Sequence, residues 1–493
     1  MYFNVQEGET ARSDVQQVEI IFGPPGTGKT EELMGIIQRE LSDGVPAISI
    51  AFVTFTKQGA TVGRQRTFER FSKTGDIVMS DLVNFGTIHS MCFRALGMKR
   101  ESVMQGKDYR NFSKAMGMKF LGHYTEEFQH GDDFYLFLEQ MERSNKEKFD
   151  KMIEGTNNKK YEHVKHNYKR YKDHVKKIDY TDMLEMFLRE KVEIPVDVAI
   201  IDEAQDLTSL QWEVARCAFR GAKRIYVAQD DDQALFSWSG ADLKIAQGLQ
   251  GVRRTLKKSW RLPSKIANFA QDVIKGVATR VDKPYTPNEE GGEILFYQSF
   301  NEVPISPDRT WYFLSRNNCF LTAYREKLQD MGVLYYNKGE KSVEAKHIKL
   351  IKLYKEAIKR GELTREEMVL LKRHVRKDFV LGDPIDKVFY FGEKKGEAEY
   401  MEKIIDSGVT EFMPYYVDTM HGVKGGEADD VVIMLDCTKA VWEAMEKQHS
   451  LDDEIRVLYV AITRAKKRVH IIMPNREKNM LKILEPAIKR IKE

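Results

Sequence analysis

The sequence predicts an α/β protein built from two parallel-sheet cores, each interrupted by one mostly helical insertion. Three observations carry this. Apolar runs of strand length alternate with helical patterns through most of the chain. Two charged stretches without a clear buried strand, residues 97 to 178 and 338 to 412, break that rhythm once in each half. The 493 residues also exceed the size at which one hydrophobic core keeps growing.

In chain order, "VEIIF", "AISIAFVTF", "VDVAII" and "RIYVAQ" are the strands expected in the first core, and "RTWYFLSR", "YYVDTM", "DVVIML" and "RVHIIM" those of the second. The first insertion ends in "NKKYEHVKHNYKRYKDHVKKIDY", a Lys, His and Tyr mixture that reads as a solvated helix. The second contains "KHIKLIKLYKEAIKRGELTREEMVLLKRHV", again charged and helical. The expected division is a first core at 1–96 and 179–257 with its insertion at 97–178, and a second core at 258–337 and 413–493 with a reduced insertion at 338–412.

Composition excludes several classes. With 42% hydrophobic and 31% charged residues the chain is neither disordered nor membrane-spanning, and its longest apolar runs fall far short of the ~20 residues that a span requires. A balance of 78 Lys plus Arg against 75 Asp plus Glu means that a polyanion would be held by local patches. The opening "MYFNVQEGET" has no secretory pattern, and Cys92, Cys217, Cys319 and Cys437 lack metal or disulfide-framework spacing, so a cytoplasmic location is expected.

Gly23, Gly26, Gly28, Lys29 and Thr30 satisfy G-x-x-x-x-G-K-[ST], with an apolar strand before the loop and the amphipathic "EELMGIIQREL" after it. Glycines let backbone N–H groups turn onto phosphate oxygens, and the helix N-terminus adds positive potential. Lys29 reaches the β and γ phosphates of ATP, and Thr30 ligates Mg²⁺. "VDVAIIDEAQD" supplies the acidic partner: Asp202 to hold Mg²⁺ through water, Glu203 to orient or deprotonate the attacking water. These residues predict an NTPase.

The stretch "VAQDDDQALFSWSGAD", residues 227 to 242, bears on what the ATP drives. Gln233 sits just past a strand end, where an amide can sense the γ-phosphate. Phe55, Phe236 and Trp238 offer flat faces for bases. Here the chain resembles the superfamily 1 helicases of the UvrD, Rep and PcrA type. Asp230, Asp231, Asp232, Gln233, Phe236, Trp238, Gly240 and Ala241 match the third motif of that family or replace its residues in kind. "TFTKQGA", "FGTIHSMC", "SWRLPSKI", "VDTMHGVKGGEADDVV" and "EIRVLYVAITRAK" resemble its other motifs in order.

The resemblance implies two RecA-like cores and DNA contacts from Phe55, Thr56, Thr87, His89, Phe236, Trp238, Thr419 and His421. It also implies adenine stacking by Trp260, a ribose contact from Glu427, and arginine fingers at Arg261 and Arg464. If both fingers come from the second core, ATP would bind between the cores. Taken alone, His89 and His421 would read as surface histidines. The chain departs from the family in three places: Ser239 replaces an Arg, Glu31 follows the P-loop Thr, and only Gln6, Gln16 and Gln17 are candidates to read adenine.

The expected function is that of an ATP-dependent 3′–5′ DNA helicase acting on single strands and single-strand/duplex junctions, alone or with replication or repair proteins. Its alternatives are a single-strand translocase that strips proteins without unwinding, and a motor-like scaffold subunit of a nuclease or repair complex.

Overall fold

The computed structural model describes residues 16–72, 77–122, 131–392 and 396–492. Contacts divide the chain into two units: residues 1–262, 277–288 and 451–457, and residues 263–276, 289–450 and 458–493.

The first unit is built on a six-stranded, all-parallel sheet of β1 (Gln17–Phe22), β2 (Ile50–Thr54), β3 (Phe85–Thr87), β4 (Val198–Asp202), β5 (Arg224–Gln229) and β6 (Val252–Thr255). Their order is β3-β2-β4-β5-β1-β6. Every residue of β2 and β4 is buried, as expected of strands covered on both faces, so they read as unbroken apolar runs. The helix Lys29–Ser42 buries Leu33, Met34, Ile36, Ile37 and Glu40, one stripe at helical spacing. Glu40 is tolerated there because Arg224 binds it through two nitrogens, at 2.9 and 2.6 Å, and Tyr226 Oη donates to it at 2.7 Å.

The first insertion leaves and returns at one point. Met104 N donates to Ile178 O at 2.9 Å, and Ile178 N to Ser102 O at 3.0 Å. Its described elements are helical, including Gly106–Met116, Asp133–Ser144, Lys146–Ile153 and Asn158–Val175. The last of these carries the basic run and is amphipathic rather than wholly solvated. Tyr161, Val164 and Tyr168 are buried in two apolar clusters with Phe112, Leu136, Phe137, Leu138 and Phe149.

The second unit holds a seven-stranded sheet: β7 (Glu293–Tyr297), β8 (Trp311–Ser315), β9 (Leu334–Asn337), β10 (Glu340–Lys341), β11 (Phe412–Thr419), β12 (Ala428–Met434) and β13 (Ala465–Ile472). Its order is β10-β9-β11-β8-β12-β13-β7, parallel except for the β9–β10 hairpin. The second insertion packs into the apolar cluster of this sheet. Tyr354, Leu371, Val388, Phe389 and Tyr400 join Trp311, Phe313, Tyr415 and Val417 in one core, as befits a segment too short to enclose its own.

Candidate functional site

In open parallel sheets ligands bind beyond the carboxyl ends of the strands. In the first unit that edge carries the loop after β1, the acids after β4 and the segment after β5.

Gly23 N donates to Gln229 O at 3.0 Å, and Thr27 Oγ1 to Pro24 O at 2.7 Å, which tightens the loop before the helix begins. Gly26 (φ 71°) and Gly28 (φ 80°) hold left-handed conformations. A Cβ on Gly23 would lie 2.9 Å from Lys29 Cβ, and one on Gly26 would lie 2.5 Å from Arg261 Cβ. The loop is thus a backbone cradle that side chains would fill, at the start of a helix, and it fits a nucleotide's phosphates. The segment 259–261 is strapped to it. Trp260 N donates to Gly26 O at 2.7 Å and Ser259 Oγ to Pro25 O at 2.9 Å. The Trp260 side chain is 65% exposed beside Gly28, with Lys258 Nζ 4.3 Å from its ring centroid. Trp260 and the half-buried Arg261 therefore group with the first unit.

Lys29 Nζ lies 2.8 Å from Glu203 Oε1. Burial works against the ammonium, but the Glu203 and Asp202 carboxylates outweigh it and raise its pKa, so Lys29 is a cation in this pocket. Glu203 has φ 54°, rare for a non-glycine residue and a conformation that clusters at functional sites. Asp202 is buried, and its Oδ1 accepts from Glu203 N at 2.9 Å. Next to it in register, Thr54 carries a buried hydroxyl with no hydrogen-bond partner. No group of three or more metal-ligating side chains occurs among the described residues. A magnesium ion does not need one, because it keeps waters and phosphate oxygens and takes only one or two protein ligands. The Thr30 hydroxyl and the Asp202 carboxylate are of the right chemistry.

Gln205, unassigned by the sequence reading although it stands inside "DEAQD", is fully buried. Its Nε2 donates to Glu203 Oε2, and its Oε1 accepts from Asp230 N at 3.0 Å. Gln233 Nε2 in turn donates to Asp230 Oδ2. A continuous hydrogen-bonded path therefore runs from Lys29 through Glu203, Gln205 and Asp230 to Gln233. Burial, together with the Asp232 and Asp231 carboxylates and against Lys283, pushes the Asp230 carboxyl up to about 6.

Asp231 and Asp232 are buried in an ion-pair network. Lys283 Nζ pairs with Asp231 and with Asp232 Oδ2 at 2.9 Å, while Arg280 binds Asp232 at 3.0 and 2.7 Å. Arg456 Nε donates to Asp231 O at 3.0 Å. Lys283 and Arg280 lie about fifty residues along the chain in no recognisable spacing, whereas Arg456 stands inside "EIRVLYVAITRAK" with no role assigned by the residues alone.

The aromatic residues form a chain. Phe55 and Phe236 ring centroids are 4.8 Å apart, Phe236 and Trp238 6.4 Å, and Trp238 and Phe137 of the insertion 6.5 Å. Trp238 is half-buried against the insertion's apolar cluster, so it packs and offers a face at once. Thr56 and Thr87 cap the helices Lys57–Phe71 and Ile88–Ala95 by accepting from Gly59 N and Ser90 N, and His89 meets Tyr180 edge-on at 5.6 Å. Ser239, in the place of the family's Arg, spends its hydroxyl on Phe236 O at 2.9 Å.

The second unit splits its site residues between two edges of its sheet. Thr419 ends β11 and His421 follows it at the carboxyl edge, whereas Glu427 and Arg464 precede β12 and β13, about seven residues or roughly 20 Å away along the strands. His421 is buried, not a surface histidine. Burial, with the Arg316 and Lys424 charges, holds its pKa well below the usual histidine range. Arg464 is buried too, donating to Val460 O at 3.0 Å and Gly426 O at 3.3 Å. Glu427 is exposed and pairs with Lys466 at 2.7 Å. Of the adenine-reading candidates, Gln6 lies outside the described residues. Gln16 donates to Phe219 O and Ala222 O, and Gln17 begins β1 at the end opposite the P-loop, about 16 Å from it. No described helix is long and apolar enough to cross a membrane.

Residues 3–251, just over half of the chain, match the UvrD/REP helicase N-terminal domain, and residues 415–476 match the UvrD-like helicase C-terminal domain. The chain belongs to the UvrD/REP helicase family, and its two parallel sheets are the two RecA-like domains of that family. Among curated relatives it is similar to DNA helicase II of Haemophilus influenzae, 21% identical over 350 residues that make up 66% of this chain and 47% of that protein. The ATP-dependent DNA helicase PcrA of Staphylococcus aureus is 22% identical over 371 residues, 69% of this chain and 49% of PcrA. The chain spans about half the length of these curated relatives.

Proposed function

We infer that the chain is an ATP-driven motor on single-stranded DNA, a superfamily 1 helicase that uses ATP and Mg²⁺ and travels 3′ to 5′. The observation that carries this reading is the path Lys29–Glu203–Gln205–Asp230–Gln233, with Phe236 and Trp238 following on the same short segment. Groups suited to sensing a γ-phosphate and groups suited to holding bases thus share one piece of backbone.

In this reading Lys29 leaves Glu203 for the β and γ phosphates, and the freed Glu203 carboxylate takes the proton of the attacking water as ADP departs. Thr30 and Asp202 hold a magnesium ion, which neutralises phosphate charge. Gln233 reports the γ-phosphate to the aromatic segment, Trp260 stacks on adenine and Glu427 meets the ribose. Arg261 and Arg464 supply charge to the transferring phosphoryl group. Phe55, Thr56, Thr87, His89, Phe236, Trp238, Thr419 and His421 hold the strand, the backbone contacts using helix N-termini at the sheet edge. The working substrate is a single strand with its duplex junction, and replication or repair proteins are the expected company.

The test uses the protein alone with ATP and Mg²⁺. ATPase stimulated by single-stranded DNA, and unwinding of duplexes with a 3′ tail but not a 5′ tail, are expected. Absence of stimulated ATPase would make the chain a scaffold. Stimulation without strand separation would make it a protein-stripping translocase, and preference for the 5′ tail would overturn the direction.

A further inference from the structure

The turn that carries Trp238 is fastened from outside. Residues 237–240 close on themselves through Ser239 N to Phe236 O at 3.0 Å and Gly240 N to Ser237 O at 3.1 Å. Two side chains from the elbow between helices Asp133–Ser144 and Lys146–Ile153 then bind both ends of the turn. Asn145 is buried and its Nδ2 donates to Gly240 O at 3.0 Å, while Lys148 Nζ donates to Ser237 O. Beside them Lys244 Nζ pairs with Glu147 at 2.7 Å. Gly240, at φ 98°, lets the turn approach closely, since a Cβ there would sit 3.2 Å from Met141 Sδ.

Asn145 also caps the helix that follows it, its Oδ1 accepting from Lys148 N at 3.2 Å, so the two halves of one amide serve the insertion and the turn separately. The indole Nε1 of Trp238 is buried with no acceptor, so apolar contact alone fixes the ring, and the turn beneath it decides where it points.

We propose that Asn145 and Lys148 of the first insertion are positioning residues that hold residues 237–240, and through them Trp238, in the conformation that receives a base. The inference rests on the reading of Trp238 as a strand-binding side chain. It makes the insertion part of the strand-binding apparatus, acting through the turn without itself touching the strand at these two residues.

The probe is oligo(dT), and the readouts are the concentration that half-maximally stimulates ATPase, the unstimulated rate and the KM for ATP. Lys148→Met is expected to raise the half-stimulating concentration at least about fivefold, the lower limit for one lost base stack, with the unstimulated rate and the KM unchanged. Lys148→Arg, which restores a donor, should recover it. Asn145→Asp keeps the helix cap but sets a carboxylate against Gly240 O, and should reproduce the defect in a protein with native helix content. In a Trp238→Ala background Lys148→Met should add nothing, because the elbow acts through that ring.

Wild-type stimulation lost in Trp238→Ala but intact in both Lys148→Met and Asn145→Asp overturns the elbow alone. Additive Lys148 and Trp238 effects also overturn it. A wild-type protein indifferent to oligo(dT), or a Trp238→Ala variant as responsive as wild type, overturns the reading of Trp238 and the elbow with it.

Discussion

Lys29 Nζ and Glu203 Oε1 stand 2.8 Å apart, so the cation that suits phosphate and the carboxylate that suits water hold each other. The carboxylate helps keep the buried ammonium charged. In the mechanism we propose, nucleotide binding breaks this pair and frees Glu203 as the base when its substrate arrives.

That exchange predicts two different defects. Lys29→Ala removes the proposed phosphate contact and takes from Glu203 its cation, so nucleotide binding and hydrolysis should both be lost. Glu203→Gln keeps the shape and a contact to Lys29, so ATP should still bind while turnover falls by ~10² to 10⁴, the usual range for a general base. Nucleotide titration and single-turnover hydrolysis separate the two, and a Glu203→Gln protein at wild-type rate would remove Glu203 from the chemistry.

What was legible in the chain follows from how locally it was encoded. β4, a buried apolar run, and the buried "IIF" end of β1 announce themselves, and the residues after each must emerge at the sheet edge. β6 reads "VRRT" and lies at the sheet's edge with Arg253 exposed and Arg254 half-buried, and β3 spans three residues before a helix begins, so neither carries a strand signature. Lys283 and Arg280 were invisible for another reason. Their partners Asp231 and Asp232 lie about fifty residues away, and only the folded chain shows that this acidic run is buried and neutralised. The burial of His421 was hidden likewise, since a turn rich in glycine reads as surface.

The basic run of the first insertion is a second case where folding redistributes charge. Lys160, Lys165, Lys172 and Lys177 are spent on Asp132, Glu142, Asp179 with Asp182, and Asp108. Lys159, Lys169, Arg170 and Lys176 are exposed. Replacing these four by Gln should flatten the slope of log affinity for a tailed duplex against log salt by up to about 0.9 per lost phosphate contact. Lys172→Gln should instead lower the melting temperature, because it takes one of two cations from the buried Asp179 and the half-buried Asp182, leaving them Arg143 alone. An unchanged slope in the fourfold variant would leave that face as solvated surface.

Trp238 allows packing and stacking to be separated. Trp238→Ala should weaken single-strand affinity by ~1 to 3 kcal/mol and also lower stability, since the ring lies against Phe137 and its cluster. Trp238→Phe keeps a flat face and removes the unpartnered indole N–H, so it should retain most of the affinity. Fluorescence anisotropy with a labelled single strand measures both variants. Equal loss of affinity in the two would mean that the indole itself, not its stacking face, is what the strand needs.

His421 couples stability to pH with a definite sign. Burial, with the Arg316 and Lys424 charges, holds the folded imidazole's pKa well below the ~6.5 of an unfolded histidine. Between those two values the unfolded chain binds the proton and the native protein does not, so native stability falls as pH drops below about 6.5. The limit is about 1.4 kcal/mol per pH unit for one proton. Other groups titrate in the same range, so the informative quantity is the difference between wild type and His421→Asn. It should be constant above pH 7 and shift in favour of the variant as pH falls from 6.5 to 5.

The same neutrality constrains strand binding. An uncharged imidazole can exchange hydrogen bonds with a phosphate but releases no counterion. His421→Asn should therefore weaken single-strand affinity at pH 7.5 while leaving the slope against log salt unchanged. A slope reduced by about 0.7 would show that bound DNA protonates His421, reversing the preference that burial imposes on the strand-free protein.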